Sequence, residues 1–298
     1  MRSDIKETQF RSLLAYRAHR GGEDPTVQPM VNIALRAARR AGQMISRTVD
    51  RVDELLVEEK SRNDLVSDVD RNAEAIIIET IRNAYPDHSI LAEESGILDA
   101  DGEFRWVIDP LDGTTNFLHG IPHHCTSIAI MQGNVVLHGV TVDHLRNEEF
   151  TASRGEGAYL NGRRMRVSGA TSLSTSIMAS GIPWHSLQKH AAAYEAIYSE
   201  FIKNTRGVRQ MGSAALDLAY IASGRMDGYF EIGIKQWDMA AGSVLVREAG
   251  GFVGDIAGGD RFLETGNIVA ANPRIFREIL RCIRAAVKAS NDVELGLG

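Results

Sequence analysis

A layered α+β fold is predicted by the order of hydrophobic patterns along this 298-residue chain. Two helix-period stretches come first, a run of alternating or continuously apolar strands fills the middle, and helices and strands then follow one another to the end. Within the middle run, Asn161-Gly162 is a strong hairpin signal, which makes that part an antiparallel sheet.

Residues 31–52 carry apolar side chains at helical spacing, with Arg36, Arg39, Arg40 and Arg47 mostly off that face, and so read as a long amphipathic helix with a wet basic side. Residues 60–70 read as a polar loop with three aspartates. A second helix is expected from Asp70 or Arg71 to about Ala84, with Ile76, Ile77, Ile78 and Ile81 as its core stripe and Tyr85-Pro86 as its stop. Residues 104–108 make a strand that Pro110 should end, because proline has no N–H to give a ladder. Strands at 126–131, 135–142, 149–153 and 157–160 follow. Then come a strand near 176–180, a helix over 187–203, a short segment at 208–211, a helix at 214–222 and a strand at 228–231. An Ala-rich helix opening at Asp238 stops at Gly250-Gly251. Segments 251–256 and 267–271 and a helix over 273–289 complete the order, and residues 291–298 form a polar tail expected to fray.

Hydrophobic residues at 44% and charged residues at 24% are ordinary for a folded domain, and no apolar run approaches the roughly 20 residues that span a bilayer. A net charge of −6 offers no general attraction to nucleic acid. Cys125 and Cys282 are too few and too far apart for a disulfide framework, which points to the cytoplasm. The N-terminus lacks the apolar core of a signal peptide.

The most informative stretch runs Trp106-Val-Ile-Asp109-Pro-Leu-Asp112-Gly-Thr-Thr-Asn-Phe117. Asp109 and Asp112 lie three apart across a turn, so their oxygens can enter one space, and oxygen donors suit a hard divalent cation such as magnesium. Gly113-Thr114-Thr115 adds backbone N–H groups at a helix start, where phosphate binds readily. A turn or N-cap role accounts for either aspartate taken alone. Further acids end other apolar segments: Glu93-Glu94 after Ile90-Leu91-Ala92, Asp70 after the polar loop, and Asp238 after Trp237.

Together, Glu93-Glu94-Ser95, residues 106–117, the Gly212-Ser213-Ala214-Ala215 run, Phe230-Glu231-Ile232-Gly233 and Trp237-Asp238 resemble the inositol monophosphatase family, and within it the bacterial SuhB-type branch. The resemblance covers about residue 29 to residue 284. It implies an αβαβα sandwich of two sheets between helix pairs, magnesium as cofactor, and hydrolysis of a phosphomonoester, inositol 1-phosphate foremost. Fructose bisphosphate, phosphoadenosine phosphate and histidinol phosphate are substrates of related enzymes. It further implies a lithium-sensitive homodimer and, for the SuhB-type branch, association with RNA polymerase and the antitermination machinery.

Residue by residue, the resemblance implies metal ligation by Glu93, Asp109, the Leu111 carbonyl, Asp112 and Asp238. Glu93 would also hold the attacking water, and Asp70 would pair with Thr114 to orient it. Substrate would meet Leu111, Asp112, Gly113, Thr114, Arg209, Ser213, Ala214, Glu231 and Asp238. Residues 1–28 precede the resemblance and are expected to be a disordered extension, with the domain spanning 29–290. Asp143-His144 departs from the Asp-Pro of the family pattern, and His123 and His124 read as structural. The sequence has no G-x-S-x-G elbow, P-loop or G-x-G-x-x-G fingerprint.

Overall fold

A computed structural model describes residues 27–49, 57–61 and 64–290. The expectations for residues 1–26 and 291–298 therefore lie outside the described residues. Val27 and Gln28 already belong to the first helix, α1 (Val27–Thr48), which begins and ends about four residues earlier than its periodicity suggested. Ala34, Ala37, Ala38, Ala41 and Ile45 form its fully buried stripe. The loop expected over residues 60–70 is a hairpin instead, β1 (Val57–Ser61) against β2 (Asp64–Ser67).

Helix α2 (Asp68–Ala84) starts two residues before the expected position. Ser67 is its N-cap and Asp70 its third residue, and the two close a capping box: the Val69 N–H donates to Ser67 Oγ, and the Ser67 N–H donates to Asp70 Oδ2 at 2.8 Å. Ile77 and Ile81 are fully buried on its core face, each stabilising the fold by about 2 kcal/mol relative to exposure.

The larger sheet has eight strands in the order β10-β9-β8-β7-β6-β5-β3-β4. These are β3 (Ser89–Ala92), β4 (Gly96–Leu98), β5 (Phe104–Asp112), β6 (Cys125–Gln132), β7 (Val135–Asp143), β8 (Glu148–Ser153), β9 (Gly157–Leu160) and β10 (Arg163–Arg164). A short helix, α3 (Thr114–Leu118), follows β5. The second sheet has five strands, order β12-β11-β13-β15-β14: β11 (Ile177–Ser180), β12 (Gly207–Arg209), β13 (Gly228–Glu231), β14 (Phe252–Gly254) and β15 (Ile268–Ala271). The remaining helices are α4 (Trp184–Asn204), α5 (Ala214–Ala222), α6 (Gln236–Glu248), α7 (Phe262–Thr265) and α8 (Pro273–Ser290).

Strand alternation fixes the layers. On β5, Trp106 and Ile108 join the core under α1 and α2, whereas Val107 between them faces α5 and α6. On β13, Tyr229 faces that same middle layer while Phe230 turns outward to α4 and α8. The result is helix pair, sheet, helix pair, sheet, helix pair, the αβαβα sandwich. Helix α6 lies tight on the larger sheet: a Cβ on Gly139 of β7 would stand 2.5 Å from the Ala241 carbonyl oxygen.

Pro110 does not end β5. The strand runs on to Asp112, with Asp109 opposite Ser127 and Asp112 opposite Cys125, so Pro110 and Leu111 occupy a bulge. At a bulge the ladder asks for no donor, and the missing proline N–H costs nothing.

Candidate active site

The bulge aims the acids. The Asp109 carboxylate is 2% exposed and accepts the Leu111 N–H at 3.0 Å, while the Leu111 carbonyl oxygen lies 3.0 Å from Thr114 Oγ1. Asp112 Oδ2 accepts the Ser213 hydroxyl at 2.5 Å and the Ala215 N–H at 2.8 Å, so this carboxylate at the end of β5 caps α5. Between acids and helix, Gly113 sits at φ +94°, and a Cβ there would lie 3.0 Å from the His123 carbonyl oxygen. Conformation and space both require glycine.

Asp238 is the third residue of α6, and its Oδ2 accepts the Lys235 N–H at 2.7 Å. Asp109, Asp112 and Asp238 each offer an oxygen within 4.8 Å of the others. Glu93, one residue beyond β3, faces the same space, hydrogen-bonded to Asp109 and repelling Asp238. Burial, then the like charges around them, hold Asp109 and Asp238 well above the usual carboxylate range. Asp112 is also raised by burial, opposed by the Ser213 hydroxyl and the α5 amides. Such a group of hard oxygens in a poorly solvated space suits a divalent cation, which offsets their repulsion.

Asp70 is 1% exposed and stands beside this group. Its Oδ1 accepts the Thr114 hydroxyl at 2.7 Å, and its Oδ2 accepts both Ser67 donors. With its single proton turned to Asp70, the Thr114 oxygen has lone pairs left to accept from a third group. Glu231, at the end of β13, is 7% exposed and accepts the Tyr229 hydroxyl at 2.5 Å. Burial raises its carboxyl to about 7, against Tyr229 and the Gly181 N–H, which favour the charged form. Gly181 approaches so closely that a Cβ would stand 2.1 Å from Glu231 Oε1.

The structure thus brings Glu93, Asp109, Leu111, Asp112, Ser213, Ala214, Thr114, Asp70 and Asp238 to one mouth, with Glu231 beside it. Arg209 ends β12 on the surface, its guanidinium reaching back to the Val208 carbonyl at 3.4 Å. Among the described residues it makes no hydrogen bond to the acids.

Several residues support the site through contacts that a reading by motif does not give. Glu74, buried in α2, accepts the Glu94 and Ser95 N–H groups at 2.8 and 2.9 Å and so fixes the turn that carries Glu93. Asn116 donates to the His123 and Met211 carbonyls, both at 2.7 Å, tying the turn after β5 to the approach of Ser213. Cys125 is fully buried, as a small core residue should be, with Sγ 3.8 Å from both Asp112 Oδ2 and Ser213 Oγ.

His123 and His124 are buried against the same turn, consistent with a structural part. Burial holds His123, His138 and His144 neutral down to about pH 4. In the unfolded chain each takes a proton near pH 6.5, so between these values the unfolded state binds more protons and stability falls as pH falls, by up to about 1.4 kcal/mol per pH unit each. The raised acids act in the opposite sense. Comparing wild type with His138→Gln cancels them, and urea denaturation at about pH 7 and about pH 5 should show a shallower loss in the variant. Equal losses in the two proteins would contradict a neutral buried His138.

With this geometry in hand, comparison with known proteins is direct. The model of the inositol monophosphatase family matches residues 26–289. This chain belongs to the inositol monophosphatase family. It is 49% identical over 262 residues to the Pseudomonas aeruginosa protein named Nus factor SuhB, covering 87% of this chain and 97% of that one. The Escherichia coli K12 protein of the same name is 49% identical over 259 residues, covering 87% and 97%. Among solved structures, the extragenic suppressor protein SuhB of Bartonella henselae superposes with a TM-score of 0.83 at 41% identity, over 86% of this chain and 98% of that one. The inositol monophosphatase of Anabaena gives 0.78 at 38% identity over 87% and 97%. The fold is that of this phosphatase family, and the acidic cluster is its candidate metal centre.

Proposed function

We propose that the chain is a magnesium-dependent phosphomonoesterase acting on a polyol monophosphate, inositol 1-phosphate foremost, through the domain at residues 29–290, with residues 1–28 and 291–298 outside it. The observation that carries this reading is the convergence of Asp109, Asp112 and Asp238, oxygens within 4.8 Å, beside the Thr114–Asp70 hydrogen bond. Glu93, Asp109, the Leu111 carbonyl, Asp112 and Asp238 would hold the metal. Bound there, magnesium supplies a more acidic water and offsets charge on the phosphoryl oxygens.

The chain's own residues do the rest. Asp70 fixes the Thr114 proton, so that Thr114 Oγ1 accepts a hydrogen from the water and turns its lone pair toward phosphorus. As the water loses its proton, Thr114 Oγ1 takes it and hands its own proton to Asp70 Oδ1. The N–H groups of Gly113 and Thr114 hold the phosphate, and the positive ends of α5 and α6 face it. Glu231, Ser213 and Ala214 meet the leaving alcohol, a polyol whose hydroxyls donate to Glu231. Arg209 is a further substrate contact in this reading, reached by a swing of its exposed side chain.

Phosphate release from inositol 1-phosphate, fructose bisphosphate, phosphoadenosine phosphate and histidinol phosphate, with and without magnesium and lithium, tests the proposal. Expected is magnesium-dependent, lithium-inhibited release, fastest from inositol 1-phosphate. Equal rates without magnesium would sink the mechanism, and preference for another ester would sink the substrate.

The relatives named Nus factor SuhB favour a second reading that coexists with the first, association with RNA polymerase and the antitermination machinery, in which we take the chain to act as a cytoplasmic homodimer. Co-purification of RNA polymerase with an inactive Asp112→Asn variant would support it. Loss of binding together with activity would tie the two functions to one surface.

A further inference from the structure

The two acids that straddle the β5 bulge can act together only if the bulge keeps its shape, and Pro110 and Leu111 stand between the paired positions of the ladder. Across the ladder, between the Asp109–Ser127 and Asp112–Cys125 pairs, stands Thr126. Its side chain is fully buried, and its hydroxyl donates to the Pro110 carbonyl at 2.9 Å. The same hydroxyl oxygen lies 2.8 Å from His144 Nε2. Thr126 has one proton, and a carbonyl can only accept. Both contacts are hydrogen bonds only if His144 Nε2 carries a hydrogen and donates to Thr126.

His144 is itself held from both sides. It follows β7 directly, in a turn where Asp143 accepts the Leu145 and Arg146 N–H groups at 3.1 and 2.9 Å. Against its ring lies Gly42 of α1, where a Cβ would stand 2.0 Å from Nδ1. The first helix leaves a glycine-shaped space for the imidazole, and with the hydrogen on Nε2 the neutral ring carries none on Nδ1.

We propose that His144 is a positioning residue for the candidate metal centre, acting through Thr126 to lock the Pro110–Leu111 bulge and so the spacing of Asp109, the Leu111 carbonyl and Asp112. The inference rests on the metal-centre reading above. His144 stands where the family pattern has proline, which cannot make this bond.

The test uses the full chain and magnesium alone as probe, followed by calorimetry, with phosphate release measured in parallel. Thr126→Val and His144→Phe should each weaken magnesium binding by about tenfold or more, since loss of an outer partner that orients metal ligands costs about 10–100-fold in metal affinity. Thr126→Ser restores the hydroxyl and should bind within about twofold of wild type. Because both residues act in one chain of bonds, Thr126→Val/His144→Phe should be no weaker than Thr126→Val alone. Wild-type affinity in Thr126→Val or in His144→Phe, or additive losses in the double variant, would overturn the proposal. If His144→Phe does not fold, the Thr126→Val and Thr126→Ser pair decides the matter. Magnesium binding without hydrolysis of any ester would reject the phosphatase reading and leave the bulge proposal to be judged on affinity. A wild type that binds no magnesium rejects both.

Discussion

Asp112→Asn is expected to abolish turnover while leaving the protein folded and no less stable without metal. Asp112 Oδ2 serves the fold, through Ser213 and Ala215, and an asparagine carbonyl can accept the same two hydrogen bonds. The other oxygen takes neither of those bonds, and there asparagine would present an NH₂ group where a cation needs a lone pair. Losing that ligand removes several kcal/mol of charge stabilisation in the transition state, a fall in kcat/KM of at least about 10³-fold. The metal-free variant sheds one of the carboxylates that repel one another in a buried site, so its Tm should match or exceed that of wild type. Magnesium should raise the Tm of wild type and leave the variant where it was, because only a bound ligand shifts the folding equilibrium. Activity assays and thermal scans with and without magnesium check both halves. Near-normal turnover in the variant would remove Asp112 from the metal centre.

This double duty of Asp112 marks what a sequence conceals. Its acid character and its place after an apolar strand are local facts. That it caps a helix beginning at Ala214 is a contact across about a hundred residues, and no periodicity encodes it. The elements that read most accurately, the helix at 214–222 and the strand at 228–231, match the observed bounds because their apolar runs end abruptly at small or polar residues. Helix α2 starts before Asp70 because Asp70 serves it as the third residue, reaching back to Ser67, whereas the sequence alone suggests Asp70 as the cap.

Pro110 misled for a different reason. A proline forbids a ladder bond at its own nitrogen, but whether the partner strand expects one there depends on a bulge, which is a property of two strands. Strand order has the same character. Alternation on β5 says that Trp106 and Val107 face opposite layers, and says nothing of β3 lying parallel beside it while β4 closes the edge. The acids of the candidate site were legible one by one as strand-end and helix-start residues. Glu74, Asn116 and Thr126, which hold them in place, were not, because a buried polar side chain is recognised by its partner and the partner lies elsewhere in the chain.

Thr114→Val should separate proton handling from metal binding. Valine matches threonine in shape and removes the oxygen that lies 2.7 Å from Asp70 Oδ1. Asp70 keeps its two bonds from Ser67, so the capping box and the start of α2 survive. The oxygens of Asp109, Asp112 and Asp238 are untouched, and the variant should bind magnesium within about threefold of wild type, a difference below 1 kcal/mol. What it loses is the acceptor that orients the water and passes its proton toward Asp70, for which general-base catalysis gives a fall in kcat of about 10²–10⁴-fold. KM should change little, because an interaction made mainly in the transition state lowers kcat and kcat/KM together. Thr114→Ser, which keeps the oxygen, should recover most of the rate. Asp70→Asn should resemble Thr114→Val, and the double variant should be scarcely worse than either, as expected of two residues that act as one unit. A Thr114→Val enzyme that turned over normally would leave the Thr114–Asp70 bond a purely structural brace between α2 and α3. The water would then have to be oriented by Glu93 alone.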